Sequence, residues 1–157
     1  MSSRLFVYGT LMPGCSRWPA LNKYVIGPPR PDRIGGVLLD TGSGYPGLVS
    51  PGAGGLVPGW LVTLEITALY TALRNLDAIE GTDRGVYRRI TITTLAGQTC
   101  WTYEFLHREP TMTRITSGWP GAPGTYRKPT ESATSLRVHE PSSNGRTRRV
   151  ALRGPRG

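Results

Sequence analysis

The chain has 157 residues, the size of one domain with room for a tail, and 19 lysines and arginines against 10 aspartates and glutamates give it a formal charge of +9. Its 21 glycines and 14 prolines make turns abundant, which excludes a bundle built of helices alone. The first apolar run, Leu5 to Tyr8, is too short for the core of a secretory signal, and prolines and glycines interrupt the longest uncharged segment, 41–64, so neither a signal peptide nor a membrane helix is indicated. We therefore expect a soluble cytoplasmic protein without a membrane partner.

Most of the chain up to residue 106 is predicted to form short strands. In chain order the predicted elements are a strand at Arg4–Tyr8, a short helix at Ser16–Asn22, and strands at Arg33–Asp40, Gly55–Glu65, Arg88–Leu95 and Thr99–Leu106. Pro58 and Gly59 are expected to interrupt the third strand, and the GYPGLV segment at 44–49 is interpreted as a rigid aromatic turn. The last two strands alternate around a turn at 96–98, which is typical of a hairpin.

One segment, 67–80, has the apolar spacing of a helix, and Gly81 follows it as a C-terminal cap. Glu80 falls in the middle of the apolar stripe of this helix and Asp77 falls at its margin. A carboxylate on a buried face costs free energy unless it is hydrogen-bonded, or it is kept there for a function. Glu80 is therefore interpreted either as a terminal side chain that turns out to solvent or as a general acid and base whose pKa is raised by burial.

The YGTL segment at 8–11 follows the first predicted strand. Because Gly9 tolerates backbone conformations that other residues avoid, the segment is either a simple turn or an anion cradle made of successive backbone amides. Cys15 and Cys100 have neither the spacing of a metal site nor that of a disulfide framework. We expect no metal and no cofactor.

The C-terminal segment 128–157 differs in composition from the rest of the chain. It contains seven lysines and arginines, two glutamates and no phenylalanine, tryptophan or tyrosine. Such a segment buries too little surface to offset the entropy of ordering, so we expect a folded domain at 1–127 and a disordered basic tail at 128–157. The tail is interpreted as solubilising or as a non-specific contact to nucleic acid. Sequence-specific binding is not indicated, because no groove-reading motif is present.

The ordered set of short motifs resembles the gamma-glutamylcyclotransferase-like superfamily, in particular its AIG2-like, gamma-glutamylamine cyclotransferase branch. The matching strings are FVYGTL (Phe6–Leu11), YPGLV (Tyr45–Val49), Val57–Gly59, LDAIEG (Leu76–Gly81), YRR (Tyr87–Arg89) and the patch Ile115–Trp119. They occur in family order over residues 4–120. The ordered set is much more specific than any one of these strings.

The resemblance implies an α+β fold, a small mixed β-barrel with short helices. It also implies an activity, the release of an amine from a gamma-glutamyl group by cyclisation to 5-oxoproline. By position, Glu80 matches the catalytic glutamate of the family, and the residues assigned to substrate binding are Tyr8, Gly9, Thr10, Leu11, Tyr45 and Tyr103. The implied partner is a small gamma-glutamyl substrate.

Two departures from the family pattern concern the pocket. Trp60 follows Gly59 where the family often has an acidic residue, and the patch SGWP at 117–120 lacks the acidic residue usual before its tryptophan. The leaving amine therefore stays open. The oligomeric state is also open. An alternative interpretation keeps the fold without catalysis, as a binding or regulatory module for a small anionic metabolite.

Overall fold

The computed structural model of the protein describes residues 2–124. The strands of this part are β1 (Arg4–Val7), β2 (Val25–Gly35), β3 (Val37–Asp40), β4 (Pro46–Val49), β5 (Leu56–Leu64), β6 (Tyr87–Thr93), β7 (Thr99–Phe105) and β8 (Thr113–Ile115). The helices are α1 (Trp18–Asn22) and α2 (Leu69–Glu80), and two 3₁₀ turns, Ile66–Ala68 and Thr82–Arg84, flank α2. The tail at 128–157, whose disorder the sequence predicts, lies outside the described residues.

Within residues 2–124 the strands form two sheets. The larger sheet has the order β2-β5-β1-β7-β6 and the smaller sheet the order β4-β3-β8. In the larger sheet β1 runs antiparallel to β5 and parallel to β7, while β6 and β7 form the predicted hairpin. The expected mixed α+β fold with short helices is confirmed, but the strands of the described part do not close into the expected barrel.

Gly36 explains why the sheet divides. The sequence predicts one strand over Arg33–Asp40, but the chain turns at Gly36, where φ is 152°, and β2 and β3 join different sheets. A Cβ atom at Gly36 would lie 2.5 Å from Cδ1 of Leu48, a contact that real Cβ atoms do not make. The missing side chain therefore permits both the turn and the close packing of β3 on β4.

The last four residues of the GYPGLV segment form a strand, which corrects the interpretation of 44–49 as a turn. Residues Pro46–Val49 pair with β3, and all four are buried. Pro46 is compatible with this pairing because it is the first residue of an edge strand, where no ladder hydrogen bond is required of it. Gly47 lies against the Phe105 ring, with room for no Cβ atom between them, and so joins β4 to β7 of the other sheet.

The strand β2 is the edge of the larger sheet and is rich in proline. Pro28, Pro29 and Pro31 lie within it, and its pairing with β5 shifts register between Ile26 and Arg30. Prolines within a run of residues argue against a strand, so the first half of β2 was not predicted from the sequence. An edge strand tolerates them because, within residues 2–124, the side of β2 that faces away from β5 has no partner strand.

The long helix is confirmed, although it begins at Leu69 after a 3₁₀ turn, and its buried face follows the predicted stripe except at the half-buried Ile79. Its buried residues are Leu69, Ala72, Leu73, Leu76 and Glu80. Gly81 ends the helix in the left-handed conformation, with φ at 73°. Burial of each leucine stabilises the fold by about 1.5–3 kcal/mol, which fixes the end of α2 against the sheet.

In the part of the chain that the structure describes, no helix has the length and apolar character needed to cross a membrane.

Candidate active site

A cavity lies where the YGTL loop, defined as Tyr8–Leu11, leaves β1 and meets the C-terminal end of α2. Its lining residues surround about 360 Å³ of space that no protein atom fills, a volume that includes open solvent at the cavity mouth. All seven residues that the sequence assigns to the site line it, namely Tyr8, Gly9, Thr10, Leu11, Tyr45, Glu80 and Tyr103. Its other lining residues are Phe6, Val7, Arg17, Pro46 and Tyr87.

Glu80 is buried in the wall of this cavity and is paired with an arginine. Its residue is 8% exposed, and Nη1 of Arg17 lies 3.2 Å from Oε2 of Glu80. The same Nη1 donates to the main-chain carbonyl of Ile79 at 3.3 Å. Arg17 thus holds the last turn of α2 through both a side chain and a carbonyl group.

Two opposing effects set the pKa of Glu80. Burial raises the pKa above its ordinary value, while the charge of Arg17 and its hydrogen bond lower it, and burial is the larger effect. The pKa of this carboxyl group therefore lies closer to neutral pH than that of an exposed glutamate. A carboxyl group of raised pKa is suited to taking up and returning a proton near neutral pH.

The YGTL loop is held by two main-chain hydrogen bonds, in which the Met12 amide donates to the Gly9 carbonyl at 3.0 Å and the Arg17 amide donates to the Thr10 carbonyl at 2.8 Å. Within residues 2–124, the amides of Gly9, Thr10 and Leu11 donate no hydrogen bond to another protein group. Gly9 and Leu11 are buried, and an unpaired buried amide is costly in a protein interior. Such amides are suited to an anionic oxygen of a bound molecule.

The reason for glycine at position 9 differs from the one that the sequence suggested. Gly9 is absent from the residues with positive φ, so an unusual backbone conformation does not explain it. A Cβ atom at Gly9 would lie 2.8 Å from Cγ and 2.9 Å from Cδ of Pro46. Gly9 is therefore needed because the loop and the start of β4 approach each other too closely for a side chain.

Three tyrosines form a wall of the cavity, and each donates its hydroxyl to a neighbouring group. The Tyr8 hydroxyl donates to the Tyr103 carbonyl at 2.7 Å and accepts from the Leu48 amide at 3.2 Å, and the Tyr87 hydroxyl donates to the Pro46 carbonyl. Burial raises the pKa of all three tyrosines, so they stay protonated. They fix the shape of the cavity and supply no base.

The second carboxylate of the helix, Asp77, holds Tyr103 in place. The Tyr103 hydroxyl donates to Oδ1 of Asp77 at 2.7 Å, and Arg89 pairs with both carboxylate oxygens at 2.9 and 3.1 Å. The Arg89 guanidinium also lies 4.7 Å from the centre of the Trp101 ring. Asp77 is thus a structural partner of the cavity wall and is not among the residues that line the cavity.

Sequence reasoning missed Arg17 and assigned no role to Tyr87. Nothing near Arg17 in the sequence distinguishes it from the other arginines, because its pairing depends on where the distant end of α2 lies. Tyr87 opens an alternating strand, which identifies it as half-buried but not as a cavity residue.

The residue that departs from the family pattern, Trp60, lies outside the cavity lining. Its indole nitrogen donates to the Gly121 carbonyl at 2.9 Å, next to the SGWP patch. The preceding Gly59 packs directly on the Val7 carbonyl and the Phe6 ring, where no side chain fits. Trp60 therefore affects the residues that pack against β1, and the residues that line the cavity are not altered by it.

The family model described as gamma-glutamyl cyclotransferase, AIG2-like, matches residues 5–120 of this chain. None of the curated proteins compared with the chain is similar enough in sequence to count as a match.

Solved structures share the fold at low sequence identity. An uncharacterized protein from Pyrococcus horikoshii is 22% identical with a TM-score of 0.57, and the match covers 77% of this chain and 89% of that one. An AIG2-like protein from Mus musculus is 21% identical with a TM-score of 0.57, over 69% of this chain and 80% of that one. The allophanate hydrolase of Kluyveromyces lactis is 14% identical with a TM-score of 0.53, over 73% of this chain and 19% of that one.

Proposed function

This chain belongs to the AIG2-like gamma-glutamyl cyclotransferase family, and from that premise we propose that it releases an amine from a gamma-glutamyl substrate by cyclising the glutamyl group to 5-oxoproline. Glu80 is the general base and acid of the reaction. Membership of the family supports cyclotransferase-type chemistry at the family level, and the residue roles and the substrate are our proposal.

The reaction is intramolecular. The α-amino nitrogen of the substrate attacks its own γ-carbonyl carbon, the new nitrogen–carbon bond closes a five-membered ring, and the bond to the leaving nitrogen breaks. Two protons leave the α-ammonium group, and both end on the leaving amine, which departs as an ammonium ion. Since attack within one molecule already has a large effective concentration, no covalent intermediate with the protein is required.

Glu80 is the group suited to carry these protons. It removes a proton from the α-ammonium group and returns it to the leaving nitrogen as the tetrahedral intermediate collapses. The observation that carries the proposal is that a buried carboxylate and three unpaired backbone amides line the same cavity. The pKa of Glu80, raised by burial, suits both steps near neutral pH.

The amides of the YGTL loop have two possible ligands in this substrate. One is the γ-carbonyl oxygen, which becomes negative in the transition state, and the other is the α-carboxylate. Removal of a single hydrogen-bond donor to a developing oxyanion typically costs 10²–10³-fold in rate, so a loop of three free amides is well suited to the first role.

The fold alone does not select this substrate. The same fold also matches 19% of a chain that is named an allophanate hydrolase, so the presence of the fold does not by itself name an activity. The proposal is therefore drawn from the family match and from the site, and it names the gamma-glutamyl class without a particular leaving amine.

The test is release of 5-oxoproline by the purified full chain from a panel of gamma-glutamyl amines, gamma-glutamyl dipeptides and glutathione, followed by mass spectrometry. We expect turnover of at least one class, with the gamma-glutamyl amines first. Glu80→Gln is expected to fold and to lose about 10²–10⁴-fold in rate, the usual contribution of a general base. The matched control is Glu109→Gln, an exposed glutamate outside the cavity, which should keep full activity.

Two outcomes would overturn the assignment. Full turnover by Glu80→Gln would remove Glu80 from the reaction. No turnover of any substrate, combined with tight binding of 5-oxoproline, would favour the non-catalytic binding module.

A further inference from the structure

Arg17 has more hydrogen-bonding capacity than its ion pair uses. Its Nη1 contacts both Oε2 of Glu80 and the Ile79 carbonyl, while its Nε and Nη2 have no partner within residues 2–124. Its side chain is 40% exposed and lines the cavity, so these free groups are open to a bound molecule. An arginine fork is the group that binds a carboxylate with two parallel hydrogen bonds.

The cavity thus pairs one cation with one anion. Of the lining residues that the structure describes, Arg17 is the only one with a positive charge and Glu80 the only one with a negative charge. The two are 3.2 Å apart. An α-amino acid has the complementary arrangement, because its ammonium and carboxylate groups are bonded to the same carbon, which places the nitrogen about 3 Å from the nearer carboxylate oxygen.

This spacing limits how far the carboxylate of a substrate can lie from Glu80. If the α-ammonium group contacts Glu80, as proton transfer requires, the carboxylate group on the same α-carbon must also lie close to Glu80. Arg17 is the cationic lining residue that lies this close to Glu80. The main-chain amide of Arg17 donates to the Thr10 carbonyl, so its guanidinium starts from a backbone that is fixed relative to the YGTL loop.

We propose that Arg17 binds the α-carboxylate of the substrate, so that a zwitterionic α-amino acid head replaces the Arg17–Glu80 ion pair with two ion pairs of its own. This rests on the proposed function and names the feature that its substrates share, a free α-carboxylate next to a free α-ammonium group. The amides of Gly9, Thr10 and Leu11 are then left for the γ-carbonyl oxygen.

The exchange of partners also has a consequence for the base. Before binding, one oxygen of Glu80 is occupied by Arg17. When the carboxylate of the substrate takes over Arg17, Glu80 is released toward the ammonium group that it must deprotonate. A substrate without the α-carboxylate leaves the original ion pair in place, and so should react poorly even where its ammonium group and scissile amide are intact.

The test compares a gamma-glutamyl amine with its α-carboxamide derivative, which keeps the ammonium group and the scissile bond. For the unmodified chain we expect the ratio of the two kcat/KM values to favour the free carboxylate by about 10- to 100-fold, the value of a charge-assisted hydrogen bond. In Arg17→Met the ratio should fall to near one. Arg17→Lys, which keeps the charge without the fork, should lie between them.

The ratio separates this role from a merely structural one. Loss of Arg17 also changes the surroundings of Glu80, but that change lowers the rates of both substrates together and leaves their ratio unchanged. Arg74→Gln is the matched control, because Arg74 is exposed and lies outside the cavity, and it should leave the ratio as it is in the unmodified chain. Thermal unfolding of each variant shows that it is folded.

A binding measurement keeps the inference separate from catalysis. L-methionine sulfone has an α-amino acid head and a sulfone in place of the γ-carbonyl group, so it cannot cyclise. We expect it to bind the unmodified chain more tightly than its α-carboxamide, by about 10-fold or more, and Arg17→Met to abolish the difference. If 5-oxoproline release is observed while the preference is absent or survives in Arg17→Met, the role of Arg17 is wrong and the proposed function stands. If the preference is present without any turnover, the role of Arg17 in binding the carboxylate stands and the proposed function is wrong.

Discussion

At the scale of the residue, the protein keeps an ionisable group where burial opposes its charge. Glu80 is nearly as buried as the leucines of the same helix face. The only hydrogen-bond partner of its carboxylate within residues 2–124 is the half-exposed Arg17. Because the penalty of burial is larger than the gain from the arginine, the ionised form of Glu80 is under electrostatic strain in the fold relative to a glutamate in water.

This strain predicts how stability changes with pH. The pKa of Glu80 in the folded state is raised above its ordinary value of 4.5. Between about pH 4.5 and the folded-state pKa, Glu80 is therefore protonated in the folded state and ionised in the unfolded state. The free energy of unfolding therefore falls as pH rises through this window. Since Glu80→Gln lacks this titration, its Tm should gain on that of the unmodified chain as pH is raised from 4.5. Thermal unfolding of both proteins between pH 4 and 8 measures the difference.

Glu109→Gln serves as the control, because an exposed glutamate should give a nearly constant difference in Tm over the same range. If the Tm of Glu80→Gln instead falls relative to that of the unmodified chain as pH rises, the effect of Arg17 on the pKa of Glu80 is larger than the effect of burial.

The sequence could predict the position of Glu80 but not its partner. The spacing of leucines in α2 places residue 80 on the buried face, and this follows from helical geometry alone. The contact with Arg17 joins residues that are 63 positions apart, and no local pattern encodes it. The position of Tyr103 in an alternating strand was predictable, whereas its hydrogen bond to Asp77 depends on how α2 packs on β7.

At the scale of the element, the approach of the YGTL loop to β4 controls the cavity. Gly9 and the Pro46 ring are in contact with no space for a methyl group between them. Any side chain at position 9 must therefore separate the loop from β4. The amides of the loop would move with it.

Gly9→Ala is accordingly expected to reduce kcat/KM by 10-fold or more, since displacement of about 1 Å in a reacting geometry can cost about 10²-fold. The control is Gly97→Ala in the turn of the β6–β7 hairpin, where φ is 87° and nothing lies within 4 Å of the added methyl group. That variant should lose about 1–2 kcal/mol of stability through backbone strain and keep its activity per folded molecule. Equal activity of Gly9→Ala and the unmodified chain would show that the loop position is unimportant for the reaction.

Elements with regular patterns were predictable, and those built around proline were not. The α2 helix and the β6–β7 hairpin follow from periodicity and from Gly81 and Gly97. The first half of β2 and the strand β4 contain prolines, which argue for turns when no neighbouring strand is known. Pro58 likewise suggested an interruption, but β5 runs without a break because its partner strands on both sides hold it in register.

At the scale of the whole molecule, the two sheets are joined through the wall of the cavity. Tyr8 at the end of β1 and Tyr87 of β6 both bond the backbone of β4, in the other sheet. The cavity is lined by residues between Phe6 and Tyr103, all within the part that matches the family.

Deletion of residues 128–157 is therefore expected to leave kcat/KM within about two-fold. It removes seven lysines and arginines and two glutamates, so any retention on immobilised duplex DNA should be lost with it. For the full chain we expect retention at low salt only, with release near physiological salt, because binding through phosphates alone weakens steeply with ionic strength.

Retention of the full chain at physiological salt would favour a nucleic-acid role for the tail. Loss of activity on deletion would show that the tail contributes to the catalytic domain.

The proline-rich edge of β2 has a consequence for the behaviour of many copies in one solution. Pro28, Pro29 and Pro31 lack the main-chain hydrogen that an incoming strand would need, and Arg30, Asp32 and Arg33 place charges along the same strand. Such an edge is a poor template for pairing between copies. Within residues 2–124 the chain after β6 contacts this edge at Asp32 and Arg33, and the prolines protect the part of the strand before them. Replacing these prolines by strand-forming residues is expected to make concentrated samples self-associate.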